Sequence, residues 1–229
     1  MASDWTDEEL RESVRAYLGL MEAQRAGRAI NKAGVYRDLA SNFTSRTPKA
    51  FEYRMQNISY VLSLMGRPWL KGVAPAKNVG SNVAAKIESL ISELEGRPSA
   101  PIVALEIETR QRLKAPMPKA PTGEKRPAFI TSSVTAYRRD PAVRAWVLRR
   151  ANGMCECCDA PAPFVDSEGS PYLEVHHVRQ LADGGSDQVS NTVALCPNCH
   201  RRMHFGADSA ALTAKMYSRI KELVPESNI

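Results

Sequence analysis

Apolar positions along the first 95 residues recur at three- and four-residue steps, which is the signature of helices with one buried face. Leu10, Val14, Tyr17, Leu18 and Met21 share a face, so residues 6–25 are predicted helical. Thr6 and Glu9 fit a capping box there, and Asp7, Glu8 and Glu9 complement the helix N-terminus. Asn31 to Ala40 reads as a second helix with Val35 and Leu39 inward. Thr47-Pro48 starts a third, Thr capping and Pro at the first helical position. Its stripe is Phe51, Met55, Ile58, Leu62 and Met65, and Gly66 stops it. Lys49, Glu52, Arg54, Gln56 and Asn57 are expected on its exposed side, with Arg46 just before it. After a loop over 67–80, Ser81 is expected to cap a further helix with Val83, Ile87, Leu90, Ile91 and Leu94 inward, closed by Gly96.

The pattern then changes. Six prolines fall between 98 and 127, interrupted by Ile102–Ile107, which reads as one strand. Residues 96–128 are therefore expected to be a Pro-rich basic linker. Asp140-Pro141 opens a helix through Arg150, with Val143, Trp146 and Val147 inward. Beyond it the order is an extended segment over 171–175, a turn at Asp183-Gly184-Gly185-Ser186-Asp187, a returning strand from Asn191 to Leu195, and a helix from Cys199. A last helix is predicted over Ser209–Leu223, with Leu212, Met216, Ile220 and Leu223 inward.

Composition narrows the class. With 43% hydrophobic and 24% charged residues in 229, the chain reads as a globular protein of one large or two small domains. No apolar run approaches the roughly 18 residues that span a bilayer, and the acidic, polar start Met1-Ala2-Ser3-Asp4-Trp5 is not a signal peptide. A cytoplasmic protein without a membrane partner is expected. The net charge of +6 points weakly to a polyanion. The stretch from Arg110 to Arg150 concentrates it, with eleven Lys/Arg against two Asp/Glu, and suits a phosphate backbone.

All five cysteines and all four histidines lie between Cys155 and His204. In a reducing compartment clustered cysteines read as metal ligands before disulfides. Cys155-x-x-Cys158 and Cys196-x-x-Cys199 are two knuckles separated by 37 residues. Four thiolates from such pairs converge tetrahedrally on Zn²⁺ at about 2.3 Å. Cys155, Cys158, Cys196 and Cys199 are thus the predicted structural zinc ligands, and Cys157 is expected to face away. The adjacent His176-His177, the Gly-Gly turn, Asn191 and the helical pair His200 and His204, one turn apart, call for a second site.

Those residues resemble the HNH endonuclease family with its ββα-metal fold. The run Leu173-Glu174-Val175-His176-His177-Val178, then Gly184-Gly185, Asn191 and Ala194-Leu195-Cys196-Pro197-Asn198-Cys199-His200-Arg201-Arg202 with His204, is similar to its zinc-stapled, McrA-like restriction type. The resemblance covers about residues 140–206. It implies that His177 is the general base, that His176, His200 and His204 hold a catalytic divalent ion, and that Asn191 holds the loop bearing the base. Three imidazoles are softer than the Asp-containing set of many relatives, so Mn²⁺, Co²⁺, Ni²⁺ or Zn²⁺ suit the site alongside Mg²⁺. Arg179, Arg201 and Arg202 flank it as candidate phosphate contacts.

Periodicity alone favours reading the N-terminal helices as a bundle with a solvated polar face over a helix-turn-helix reader of DNA. The stretches Trp5–Leu10, Asn31-Lys32-Ala33 and Arg46-Thr47 through Ser59 resemble an N-terminal domain attached to restriction-type nucleases, which makes Arg46, Arg54 and Asn57 candidate DNA contacts. The expected architecture is α+β: a mainly helical DNA-reading domain over 1–95, a linker over 96–128, and an HNH module with a structural zinc site over 129–229. The expected function is metal-dependent hydrolysis of duplex DNA in the restriction of foreign, including modified, DNA. One module cuts one strand, so a double-strand break requires a homodimer or two binding events. The rivals are a zinc-containing DNA-binding regulator, which would have no use for His177, and a nuclease of RNA or single strands, for which 7% aromatics offer no stacking platform.

Overall fold

The hydrogen bonds at Thr6 set the first helix. Thr6 Oγ1 accepts from Glu9 N–H at 3.1 Å and Glu9 Oε2 accepts from Thr6 N–H at 2.8 Å, so α1 runs Asp7–Arg25 behind a complete capping box. The computed structural model describes residues 5–96, 102–114 and 137–226. The chain divides into two compact units, Met1–Thr135 and Ala136–Ile229.

In the first unit, α2 spans Lys32–Asn42 with Asn31 as its cap, and α3 spans Pro48–Leu64 behind Thr47. Helix α4 covers Ser81–Leu94, and its cap is Gly80 rather than Ser81, which is the first helical residue. Helices α1, α3 and α4 pack on one another and α2 packs on α3. Leu10, Val14, Tyr17, Phe51, Met55, Ile58, Leu62, Ile87 and Ile91 are fully buried between them. The Tyr17 phenol shares a hydrogen bond of 2.7 Å with Ser59 Oγ and accepts Leu70 N–H at 2.9 Å, so its polar end is satisfied in the core.

Ile102–Ile107 is not a strand. Residues Val103–Leu113 form helix α5, packed on α4. The cause is Glu88, a buried carboxylate on α4 that accepts the Ile102 and Val103 N–H groups at 3.2 and 3.1 Å and so caps α5 from outside it. No local pattern around 102 carries that cap. Residues 97–101 and 115–128 of the expected linker lie outside the described residues.

The second unit opens with α6, Pro141–Ala151, capped by Asp140 Oδ1. Val147 is buried, but Trp146 is 42% exposed with the Arg150 guanidinium over its ring, so the inward expectation for Trp146 fails. Strands β1, Glu174–His177, and β2, Thr192–Leu195, pair antiparallel with His176 opposite Val193 and His177 opposite Thr192. Helix α7, Pro197–Phe205, follows β2 directly, and α8, Ser209–Arg219, packs on α7. Helix α8 is shorter than its apolar pattern: it ends at Arg219, while Leu223 is buried from the following turn. This β-β-α arrangement, flanked by α6 and α8, is a ββα-metal module on an otherwise helical chain. Among the described residues no helix is long and apolar enough to cross a membrane.

Candidate active site and metal centres

The knuckle at Cys155 is built by backbone geometry. Cys155 N–H donates to Ala160 O at 2.8 Å and Asp159 N–H donates to Cys155 O at 2.9 Å, with Asp159 in the left-handed region. Glu156 locks the knuckle to the sheet: its N–H donates to Ala194 O and its Oε2 accepts Ala194 N–H. Arg150 on α6 clamps the same carboxylate at 2.6 and 2.9 Å and also donates to Thr192 O. Arg150 is therefore a half-buried structural cation, engaged within the module rather than facing a phosphate backbone.

The second knuckle is the start of α7. Cys196 caps that helix, its sulfur accepting Cys199 N–H, and Cys196 N–H donates to Cys155 Sγ at 3.2 Å. The ligand atoms of Cys155, Cys158, Cys196 and Cys199 all lie within 4.8 Å of one another. Burial raises the Cys199 and Cys196 thiols above the ordinary range. At Cys155 burial acts the same way, but the N–H groups of Cys196, Cys158 and Cys157 outweigh it and lower the pKa. Four sulfurs gathered this closely fit a soft tetrahedral cation. Cys157 is not among the four clustered sulfurs. It is 3% exposed and packs in the second core with Val147, Leu195 and Met216.

His176, His200 and His204 form the second cluster, their ligand atoms again within 4.8 Å of one another. The strand places His176 and helix α7 places the other two, one turn apart on one face. Their ring centroids are 4.9–5.0 Å apart in every pair. His200 Nε2 and His204 Nε2 face each other at 3.2 Å. Two nitrogens bound to one tetrahedral ion at about 2.0–2.1 Å would be about 3.3 Å apart, so the donor set fits a divalent metal. Glu174 Oε2 lies 2.5 Å from His200 Nδ1. A carboxylate on Nδ1 puts the hydrogen there and leaves the Nε2 lone pair for an ion. Burial first, then the charges of His204, His200 and His177, lowers the His176 pKa to about 3 and keeps that imidazole neutral.

His177 does not join the three. Successive side chains on a strand point to opposite sides, and His177 Nε2 instead bonds Asp187 Oδ1 at 2.7 Å. Asn191, fully buried, ties the intervening loop: its Oδ1 accepts Arg179 N–H at 2.8 Å, and its Nδ2 donates to Arg179 O and Ser186 O. A Cβ on Gly185 would sit 2.0 Å from Arg179 O, so only glycine permits that approach.

The arginine candidates fare differently from one another. Arg201 is exposed beside Phe205, Arg202 is paired with Asp208, and Arg179 Nε donates to Asp183 O. In the first unit the expected exposure of Arg54 and Asn57 is wrong, since they are 8% and 5% exposed. Arg54 donates to Asn57 Oδ1, and Asn57 Nδ2 donates to Ala76 O and Asn78 Oδ1. Arg46 and Ser45 hold Glu9, and the Arg46 and Arg54 guanidiniums lie 4.7 and 4.2 Å from the Trp5 ring centroid. These side chains fasten Trp5 and the α1 cap to α3. Helical periodicity could not foresee it, because Trp5 and the 76–78 segment, both distant in sequence, lie on the polar side of α3.

Glu174 and Asp187 are the carboxylates in contact with His200 and His177 that the motif reading leaves without a role. The signal was their position: one lies two residues before His176, the other at the end of the glycine turn.

The HNH endonuclease family profile matches residues 155–206. The chain is 30% identical over 236 residues to the Type IV methyl-directed restriction enzyme EcoKMcrA of Escherichia coli (strain K12), covering 97% of this chain and 84% of that one. A solved structure of the Type IV phosphorothioation-dependent restriction endonuclease ScoMcrA is 39% identical over 35% of this chain and 16% of its own, with a TM-score of 0.33.

Proposed function

The chain belongs to the HNH endonucleases of McrA-like restriction type, and from that premise we propose that it cuts foreign, modified duplex DNA with a divalent ion held by His176, His200 and His204. As a restriction endonuclease it hydrolyses phosphodiester bonds in DNA. The observation that carries the finer reading is the trio of imidazoles with facing Nε2 atoms 3.2 Å apart, set beside a separate four-sulfur cluster. The two clusters share helix α7: Cys199 belongs to one and His200 to the other.

The division of labour follows from donor chemistry. The four cysteines hold Zn²⁺ and staple the module. Bound to the imidazoles, a divalent ion supplies Lewis-acid polarisation of the scissile phosphate and neutralises charge at the leaving 3′ oxygen. An all-nitrogen set favours Mn²⁺, Co²⁺, Ni²⁺ or Zn²⁺ over Mg²⁺. His177 takes the proton of the attacking water. Asn191 keeps the loop beyond β1 in one conformation, and exposed Arg201 contacts phosphate. The helical unit locates DNA, acting in the cytoplasm through cations that remain exposed, such as Lys49, rather than through Arg46, Arg54 or Asn57. Two chains, or two encounters, are needed for a double-strand break.

Dependence on modification is proposed because the E. coli relative, alike over nearly the whole chain, is methyl-directed by name. The test is cleavage of unmodified, base-methylated and phosphorothioated plasmids across Mg²⁺, Mn²⁺, Co²⁺, Ni²⁺ and Zn²⁺, with His200→Ala as control. Cleavage confined to one modified plasmid and lost in His200→Ala supports the reading. Equal cutting of all three plasmids removes the modification requirement, and full activity of His200→Ala removes the metal assignment.

A further inference from the structure

We propose that Asp187 is a positioning residue for the general base: its carboxylate holds His177 as the Nε2–H tautomer and so presents Nδ1 as the nitrogen that takes the water's proton. The proposal rests on His177 being the base.

The contact is short and sheltered. His177 Nε2 and Asp187 Oδ1 are 2.7 Å apart, and their side chains are only 6% and 22% exposed. The second carboxylate oxygen is also engaged, since Oδ2 accepts Asp140 N–H at 2.6 Å. Asp140 is the cap of α6, so the carboxylate is fixed against the start of a helix. The flanking loop is fastened too. Ser186 N–H donates to Glu226 and Ser186 O accepts from Asn191 Nδ2. Asp187 thus cannot swing away without breaking an element anchor.

Protonation chemistry then assigns the ring nitrogens. Burial acts to raise the Asp187 pKa, but the Asp140 N–H and His177 outweigh it and hold the carboxyl below its ordinary range. An ionised carboxylate only accepts, so Nε2 must carry the hydrogen. A neutral imidazole has one hydrogen, which leaves the lone pair on Nδ1. Among the described residues, Nδ1 has no hydrogen-bond partner. In the reaction one water proton passes to Nδ1 and the hydroxide oxygen bonds to phosphorus. The bond from phosphorus to the 3′ oxygen breaks, and that oxygen takes a proton from solvent. The Nε2 hydrogen stays where it is, and the imidazolium is left facing a carboxylate.

A carboxylate that merely pinned the loop would give the same contact, and Asp187→Asn separates the two. The amide oxygen can still accept Asp140 N–H, but the amide NH₂ now faces Nε2 as a donor and selects the Nδ1–H tautomer. The full chain is assayed on cleavable plasmid, and ¹⁵N NMR reads the His177 tautomer in wild type and variant. Wild type should show a protonated Nε2 and a bare Nδ1. In Asp187→Asn the tautomer should invert and kcat should fall by about 10²–10⁴-fold with KM unchanged, while Asp187→Glu regains part of the rate. A protonated Nδ1 in wild type overturns the proposal even if the variant does not fold. So does a folded Asp187→Asn enzyme with wild-type kcat, or with a lowered kcat but an unchanged tautomer. His177→Ala keeps the premise separate: if it cuts normally the base assignment is wrong, whereas if it is inactive and Asp187→Asn is normal, only the role of Asp187 fails.

Discussion

Removing the ion from the four-cysteine site should unfold the nuclease unit and spare the helical one. The second unit, Ala136–Ile229, has 94 residues, and at 0.05–0.15 kcal/mol per residue it is stable by about 5–14 kcal/mol in all. Zinc at a four-ligand structural site contributes about 10–16 kcal/mol near neutral pH, as much as the whole of that stability. The geometry says why so much depends on it. Cys155, Cys157 and Cys199 are themselves members of the second core, and the knuckles tie α6, β2 and α7 to one another. The first unit has its own larger core around Phe51 and Met55 and contains no cysteine. The assay is differential scanning calorimetry of the full chain with and without a chelator strong enough to strip thiolate-bound zinc, checked by elemental analysis. One transition should disappear, all five thiols should become reactive, and the other transition should stay within about 2 °C. Cys199→Ser should behave like the stripped protein. If both transitions persist unmoved once the metal is shown to be gone, the four-sulfur site does not hold the module together.

Glu174→Gln weakens the hold on His200 without removing a ligand. Affinity for the catalytic ion should fall about 10–100-fold, read by the Mn²⁺ or Co²⁺ concentration needed for half-maximal cleavage; an unchanged requirement would sever Glu174 from the site. In the first unit burial pushes the Glu9 carboxyl up, but Arg46, Thr6 N–H and Ser45 outweigh it and bring it down to about 2. Its folded value lies below the ordinary 4.5, so its contribution, roughly 3 kcal/mol, is complete above pH 4.5 and is lost as pH falls towards 2. Thermal melts of the helical transition between pH 6 and 2.5 test this, and Glu9→Gln should flatten that dependence. Arg46→Ala leaves Glu9 as a buried unpaired charge and should cost about 3–5 kcal/mol, with a lowered melting temperature. If it instead weakens DNA binding at full stability, Arg46 is a contact after all. Gly185→Ala drives a Cβ into Arg179 O and should abolish cleavage while the cysteine site keeps its metal; wild-type rates would show that the loop yields.

What the sequence by itself determined are the features that need only neighbours along the chain. The capping box at Thr6, the Pro-initiated helices α3 and α6, and the pairing of His176-His177 with a glycine turn and a histidine helix all depend on spacings of a few residues. The two C-x-x-C knuckles are equally local, and each presents two sulfurs whatever the rest of the chain does. Tertiary structure decided whatever depends on a partner far away in sequence. Glu88 turned an apparent strand at 102–107 into helix α5 by supplying its cap. Trp5 lying on Arg54, and the 76–78 segment bonded to Asn57, go with the burial of two side chains that helical periodicity alone puts outside. Cys157, left out of the four-sulfur cluster, packs in the second core with side chains distant in sequence. The carboxylates behind the imidazoles belong here too: only the folded sheet and loop set Glu174 against His200, 26 residues on, and Asp187 against His177. A motif fixes which groups take part in the chemistry, but a hydrogen's place on an imidazole is set by what lies across from it in space.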